Sequence, residues 1–96
     1  FARFVDKLAT MPDGDKGSML DNSILLYGSN MSNSNAHDHY PLPSVIVGKG
    51  GGTIRGGQHI AAPERTPVSN MMLTILDRIG LHEESLGDST GRFEEV

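Results

Sequence analysis

Apolar residues return at helical spacing near the start of the chain. Phe1, Phe4, Val5 and Leu8 lie on one face of a helix, and a proline–glycine turn follows at residues 12–14. Such a stripe is typical of an amphipathic helix that packs one side against the rest of a protein. The pattern predicts a first helix that ends before this turn.

A second helix is the clearest element of the sequence. Thr66 stands where an N-cap is expected, Pro67 suits the first helical position, and Gly80 ends the apolar pattern. Leu73 widens the apolar stripe enough to favour packing against a sheet, whereas residues 77–78 are predicted on the solvent side. The predicted apolar face comprises Val68, Met71, Met72, Ile75, Leu76 and Ile79.

Two short apolar runs, Ile24–Tyr27 and Val45–Val47, predict strands. Because each run is continuous rather than alternating, it indicates a strand covered on both faces, the usual pattern in parallel sheets. Thr53–Arg55 predicts a further brief strand or hairpin arm. The predicted fold class is therefore α/β, with a short, mostly parallel sheet flanked by the two helices.

The composition indicates a thin core. Of the 96 residues, 36% are hydrophobic, 5% are aromatic and twelve are glycine. Short chains bury a smaller fraction of their surface than full-sized domains do. The sequence also starts at Phe1, inside the first predicted helix. We therefore expect residues 1–96 to be a single, partial α/β domain, the C-terminal part of a larger protein. The remainder of that parent, or another copy of the chain, would complete it.

Charge, cysteine content and hydropathy exclude several classes of protein. The formal net charge of -4 leaves no basic face to neutralise a phosphate backbone, so nucleic acid is not an expected partner. The absence of cysteine excludes disulfides and thiolate metal sites. No apolar run approaches the roughly 20 residues that cross a bilayer, so no membrane span is expected.

His37, Asp38 and His39 form the most suggestive polar group. Imidazole and carboxylate are suitable ligands for zinc and related divalent ions. In an extended segment the two histidines would point to the same side and share one ion, while the aspartate would point elsewhere. The alternative is that all three side chains bind the loop backbone and each other.

Five further residues are candidates for a ligand-facing or anion-facing role. Asn30 and Asn35 lie in the same loop, where their amides either stabilise turns or line an anion site. Lys49 and Arg55 lie beside glycines that lack the spacing of a nucleotide phosphate loop. The two side chains are expected to be solvated or to face an anion. His59 either returns to the same site or has a structural role.

Self-contained hydrolysis is not indicated by the sequence. None of Ser29, Ser32 and Ser34 lies in the strand–turn–helix elbow that exposes a serine nucleophile. A serine nucleophile also needs a general base held within hydrogen-bond reach. We therefore assign no catalytic residue to this chain.

The order of the segments resembles a known superfamily. They are the strand Ile24–Tyr27, the loop with His37–His39, Leu42–Gly48, a Gly-Gly turn and the helix segment Thr66–Leu81. This order is similar to the C-terminal third of the alkaline phosphatase and sulfatase-like superfamily. Three segments, Tyr27–Met31, Asn35–His39 and Gly87–Gly91, are most similar in sequence to those of uncharacterised exported bacterial proteins related to this superfamily. The resemblance spans about Leu20 to Gly91.

The resemblance implies a fragment of a three-layer α/β/α alkaline-phosphatase-like domain, from an exported parent that is a metal-dependent phosphoric or sulfuric ester hydrolase. In that superfamily an Asp-His pair and a later His bind zinc, calcium or a related ion. Here Ser29-Asn30 stand in place of the pair, and only the later histidine has a counterpart, His37 or His39. The nucleophile of such enzymes lies upstream. The chain is thus expected to contribute a His/Asp loop to a metal or anion site and to be inactive alone.

A second functional interpretation stays open at this point. The chain is then a small, non-enzymatic module that self-associates, and its His-Asp-His loop is structural or binds a ligand weakly. Exposed apolar strand edges favour association between copies.

Overall fold

The computed structural model describes residues 1–96 and contains two α-helices, one 3-10 turn and one two-stranded sheet. Helix α1 spans Ala2–Thr10, strands β1 and β2 span Leu25–Gly28 and Ser44–Val47, and helix α2 spans Val68–Arg78. The 3-10 turn, Gly50–Gly52, follows β2. Neither α-helix has the length and apolarity that crossing a membrane requires.

Helix α1 confirms the first predicted helix, but its apolar side chains do not pack into a core. None of its residues is buried. The ring of Phe1, at its N-terminal end, stacks on Tyr27 of β1 with 4.5 Å between the ring centroids. The carbonyl of Leu8 accepts a hydrogen bond from the Leu20 amide at 3.2 Å. Local contacts of this kind, rather than a continuous core, hold the helix to the rest of the chain.

The predicted parallel sheet is wrong. Strands β1 and β2 pair antiparallel, with Leu25 opposite Val47 and Gly28 opposite Ser44. The reason is the connection: residues 29–43 contain no helix, and a parallel pair needs a crossover that carries the chain back to the starting end. The structure is therefore a small α/β chain with one hairpin. It is not a fragment of a three-layer α/β/α alkaline-phosphatase-like domain.

Two further strand predictions are also wrong. Leu26, Tyr27 and Val45 are exposed, so the continuous apolar runs do not form strands covered on both faces. Thr53–Arg55 forms no strand. It follows Gly50–Gly52, which all have positive φ, a conformation that does not continue an extended strand.

The segment after β2 approaches the segment before β1 very closely at Gly48. This glycine has φ 109°, and a β-carbon on it would lie 2.1 Å from the Ser23 carbonyl oxygen. The next two amides, of Lys49 and Gly50, donate to the carbonyls of Leu20 and Ser23 at 3.3 and 3.0 Å. Only glycine permits this contact without moving the backbone.

Helix α2 confirms the second predicted helix and its predicted end. Gly80 has φ 86°, and the Leu81 amide donates to the carbonyl five residues earlier at 2.9 Å, a common way to end a helix. The predicted N-cap is wrong. Pro67 occupies that position, and the Thr66 hydroxyl donates to the Pro63 carbonyl at 2.7 Å instead of capping the helix.

The buried face of α2 differs from the predicted apolar face. Asn70, Leu73 and Thr74 are its buried residues, whereas Met72 and Ile79 of the predicted face are exposed. The difference arises because the C-terminal segment, residues 82–96, lies against the more polar side of the helix. The sheet does not cover α2 as predicted.

Side-chain hydrogen bonds hold the C-terminal segment to α2. The Asn70 side chain accepts from the Thr90 amide at 2.8 Å and donates to the Thr90 hydroxyl at 3.2 Å. The Thr74 hydroxyl accepts from the Phe93 amide at 2.8 Å and donates to the Asn70 carbonyl at 3.0 Å. Val96 is buried in the same region. Asn70 and Thr74 thus form a polar network on the same helix as Leu73, the one fully buried side chain.

Candidate functional site

The candidate site is the loop that joins β1 to β2, residues 29–43. Asn33 and Asp38 close the turn at its tip, with the Asp38 amide donating to the Asn33 carbonyl at 3.0 Å. The Asn33 side-chain oxygen accepts from the amides of Asn35 and Ala36 at 3.1 and 3.2 Å. An asparagine that satisfies a turn in this way defines its backbone shape. The loop therefore has internal hydrogen bonds of its own.

Among the side chains of this loop, that of His39 has the orientation that best suits metal binding. Its Nδ1 lies 2.7 Å from the carbonyl oxygen of Asn30. Because a carbonyl oxygen only accepts, Nδ1 must carry the proton of this hydrogen bond. In the neutral ring Nε2 then bears the lone pair, on an exposed side chain. Metal-binding histidines are oriented in the same manner, with the second ring nitrogen donating to a carbonyl or carboxylate.

His37 and Asp38 are placed differently from His39. His37 ends the turn with φ 53°, so the three residues do not form the extended segment in which the two histidines point to one side. The Asp38 carboxylate accepts from the Tyr40 amide at 3.0 Å, which turns it toward the loop backbone. No three His, Asp or Glu side chains of the chain gather closely enough to hold a metal ion. Of the three predicted ligands, His39 has the orientation that suits a ligand role.

Lys49 is paired rather than free to face an anion. Its ammonium lies 2.7 Å from the carboxylate of Asp21, which also accepts from the Ser18 amide and hydroxyl at 2.9 and 2.7 Å. The Lys49 ammonium and the Ser18 donors hold the pKa of the Asp21 carboxyl well below its usual range, and Asp21 raises the pKa of Lys49. The pair joins the segment before β1 to the segment after β2.

The other predicted residues are dispersed. Asn30 and Asn35 contribute backbone groups to the loop rather than their side-chain amides. His59 is exposed and its side chain forms no hydrogen bond. Arg55 lines a groove near the end of α2, together with Arg78. Asn30 and Asn35 thus remain in the loop with His37–His39, whereas Lys49 and Arg55 contact other parts of the chain.

Sequence reasoning missed the charged cluster at the C-terminal end of α2. The Asp77 carboxylate accepts from the Arg92 guanidinium and lies 3.1 Å from His82 Nδ1. Both neighbours lower the pKa of Asp77, Arg92 more than His82. Asp77 and Arg78, which the sequence predicts on the solvent side of the helix, are half-buried. One signal was present, since residues 70, 73, 74 and 77 share one helix face that is largely polar.

The chain was compared with known protein families, curated proteins and solved structures. It matches no family model, no curated protein and no solved structure. Its own residues are therefore the basis for any functional assignment.

Proposed function

We propose that this chain supplies loop 29–43 to a composite metal site, with His39 as its one ligand to the ion, and that the chain is inactive alone. Other protein surface completes the site, either the remainder of a larger parent or another copy of the chain. Hydrolase-like chemistry on phosphoric or sulfuric esters is proposed for the completed assembly only.

One observation carries this proposal. The hydrogen bond from His39 Nδ1 to the Asn30 carbonyl leaves Nε2 as an outward lone pair. A ring held in this way loses less rotational freedom when it binds an ion than a freely rotating histidine does. His59, which lacks any such bond, is the natural comparison within the same chain.

Zinc titration of the chain tests the proposal. Side-chain nitrogen NMR is expected to show His39 protonated at Nδ1, and zinc is expected to perturb His39 before His37, His59 or His82. His39→Ala is expected to abolish the zinc binding of the chain, because His39 is the one ligand that the chain supplies, whereas His59→Ala leaves the binding unchanged. Equal perturbation of all four histidines, or equal effects of the two variants, would remove the basis of the proposal.

The hydrolytic part of the proposal needs a larger assembly. The measurements are the metal content of the intact parent protein and its turnover of phosphate and sulfate esters. A parent with neither metal nor turnover would contradict the hydrolase assignment. The orientation of His39 is tested separately, by the side-chain nitrogen NMR.

A non-enzymatic, self-associating module is the second candidate. It is supported by the exposure of large apolar side chains, since Phe4, Tyr27 and Val45 are each about half exposed. Its test is the mass of the chain in solution over a concentration series, with and without zinc. Association that zinc does not tighten favours this module, and association that zinc tightens only when His39 is present favours the composite site.

A further inference from the structure

Helix α2 carries an apolar stripe on its exposed side. Its buried residues, Asn70, Leu73 and Thr74, lie on one side of the helix. The apolar residues on the opposite side recur at intervals that keep side chains on one helix face. Met72 and Ile79, in this set, are 43% and 57% exposed. We call the set the α2 stripe, and it consists of Val68, Met72, Ile75 and Ile79.

The α2 stripe is suited to contact with another helix. Its residues alternate at spacings of four and three, the pattern of the seam along which two helices pack. None of them is charged or polar, so the seam offers no hydrogen bond to a polar ligand. Burial of such a seam is favourable because it removes apolar surface from water. The occupant that fits the stripe is therefore an amphipathic helix.

Helix α1 provides a second apolar face without a partner. None of its residues is buried, and Phe4 is 52% exposed. Within the chain α1 and α2 do not pack against each other. Helix α1 is held beside the hairpin instead, where Phe1 stacks on Tyr27. One copy of the chain thus has two helix faces that it does not join itself, and a second copy has the two faces that match them.

The charges beside the two faces are complementary. Arg3 and Lys7 lie one turn apart on α1, on the same edge of its apolar face as Phe4, and neither forms a salt bridge. Glu83 and Glu84 follow the end of α2 and form none either. In an antiparallel pair the start of α1 lies beside the end of α2, so Arg3 approaches the two glutamates. Antiparallel packing also sets the two helix dipoles in opposite directions.

We propose that two copies of this chain associate through reciprocal contacts, in which α1 of each copy packs antiparallel on the α2 stripe of the other. The same surfaces of both copies take part, so the contact closes as a dimer with two helix pairs. This inference rests on the self-association that is the second candidate function, and it names the surfaces that carry it. It involves neither loop 29–43 nor a metal ion.

The mass of the chain in solution, measured by sedimentation over a concentration series without zinc, tests the proposal. A dimer is expected to form as the concentration rises. Ile79→Gln is expected to weaken it about a hundredfold, or tenfold at each of the two contacts, because a polar amide replaces a buried apolar side chain. Val45→Gln, at a similarly exposed residue of the hairpin, is the control and is expected to leave the dimer unchanged.

A charge exchange tests which surfaces meet. Arg3→Glu in one variant, and Glu83→Lys with Glu84→Lys in another, each bring like charges together and are expected to weaken the dimer about tenfold. An equal mixture of the two variants is expected to restore it, because both contacts of the mixed dimer then join opposite charges. Asp6→Lys, on the side of α1 away from Phe4, is the control and is expected to change nothing.

Two kinds of result would overturn this inference. A chain that stays monomeric at every concentration would remove both the inference and the self-associating candidate, and would leave the α2 stripe to a different protein. Association that Val45→Gln weakens as much as Ile79→Gln, or that the mixture of charge variants does not restore, would remove the inference alone. All the substituted residues are exposed, so each variant is expected to keep the circular dichroism of the unmodified chain.

Discussion

The two ends of this chain are built differently. All four buried residues lie in α2 and the C-terminal segment, and they are Asn70, Leu73, Thr74 and Val96. Helix α1 and the β1–β2 hairpin, at the other end, have none. The candidate loop 29–43 belongs to the hairpin. The part of the chain that carries the functional proposal is thus the part with the least core of its own.

The two regions are stabilised by different kinds of contact. In the C-terminal region a helix side chain, such as that of Thr74, satisfies backbone groups of a segment without regular structure. In the N-terminal region backbone contacts at Gly48 and the Asp21–Lys49 pair join neighbouring segments. Exposed ion pairs contribute little to stability, and a lone hairpin is marginal in water. We therefore expect the N-terminal region to gain stability when a partner covers it.

The largest expected effect is in the C-terminal region, at Leu73. Its side chain is fully buried, so Leu73→Ala removes apolar contact and leaves a cavity. The free energy of unfolding is expected to fall by about 3 kcal/mol, measured by urea denaturation. Met72→Ala, the control on the exposed side of the same helix, is expected to change it far less. Similar losses in the two variants would contradict the assignment of the core.

The next effect falls in the N-terminal region, at Gly48. Gly48→Ala places a β-carbon against the Ser23 carbonyl at a positive φ, and we expect a loss of about 2 kcal/mol. The control is Gly56→Ala, where a β-carbon meets nothing within 4 Å. Thermal unfolding followed by circular dichroism measures both. A neutral Gly48→Ala would show that the two segments do not approach each other this closely.

A smaller effect tests the contact between α2 and the C-terminal segment. Thr74→Val keeps the shape of the side chain but removes the acceptor of the Phe93 amide, at an expected cost of about 1.5 kcal/mol. Hydrogen exchange at the Phe93 amide is expected to accelerate. Thr10→Val is the matched control, because the Thr10 hydroxyl bonds only to carbonyls of its own exposed helix. Unchanged exchange at Phe93 would contradict the proposed role of Thr74.

The smallest effect concerns the Asp21–Lys49 pair and depends on pH. The pKa of Asp21 is lowered below its ordinary value of 3.8, so the pair stabilises the fold above that pH and the contribution is lost as the pH falls toward the folded pKa. Asp21→Asn is expected to lower stability slightly at pH 7 and to differ less from the unmodified chain as the pH falls below 3.8. Asp15→Asn, at an exposed residue without a salt bridge, is the control. A stability difference that grows in acid would contradict the assignment.

The sequence predicted the elements better than their arrangement. Both helices and both strands follow from local patterns at Phe1–Leu8, Ile24–Tyr27, Val45–Val47 and Val68–Ile79. The predicted strand direction is wrong because a continuous apolar run does not by itself specify parallel pairing, and the connection at residues 29–43 is too polar and short for a crossover helix. The length and polarity of this connection favour an antiparallel pair.

The site was less predictable for a physical reason. The orientation of His39 depends on the Asn30 carbonyl, and the pairing of Lys49 depends on Asp21 in another part of the chain. Such contacts follow from how loops close in three dimensions and leave no periodic pattern in the sequence. The sequence predicts Arg78 on the solvent side of α2, because charged residues usually lie on the exposed face of a helix. The C-terminal segment, which has no regular structure, covers it.

Native-state hydrogen exchange across the whole chain tests the contrast between the two regions most directly. We predict that the slowest amides lie in α2 and at Thr90 and Phe93, whose partners are the side chains of Asn70 and Thr74. Amides of β1 and β2 are predicted to exchange much faster in the isolated chain. Equal protection of the hairpin and of α2 would contradict the account, because the hairpin would then need no covering partner.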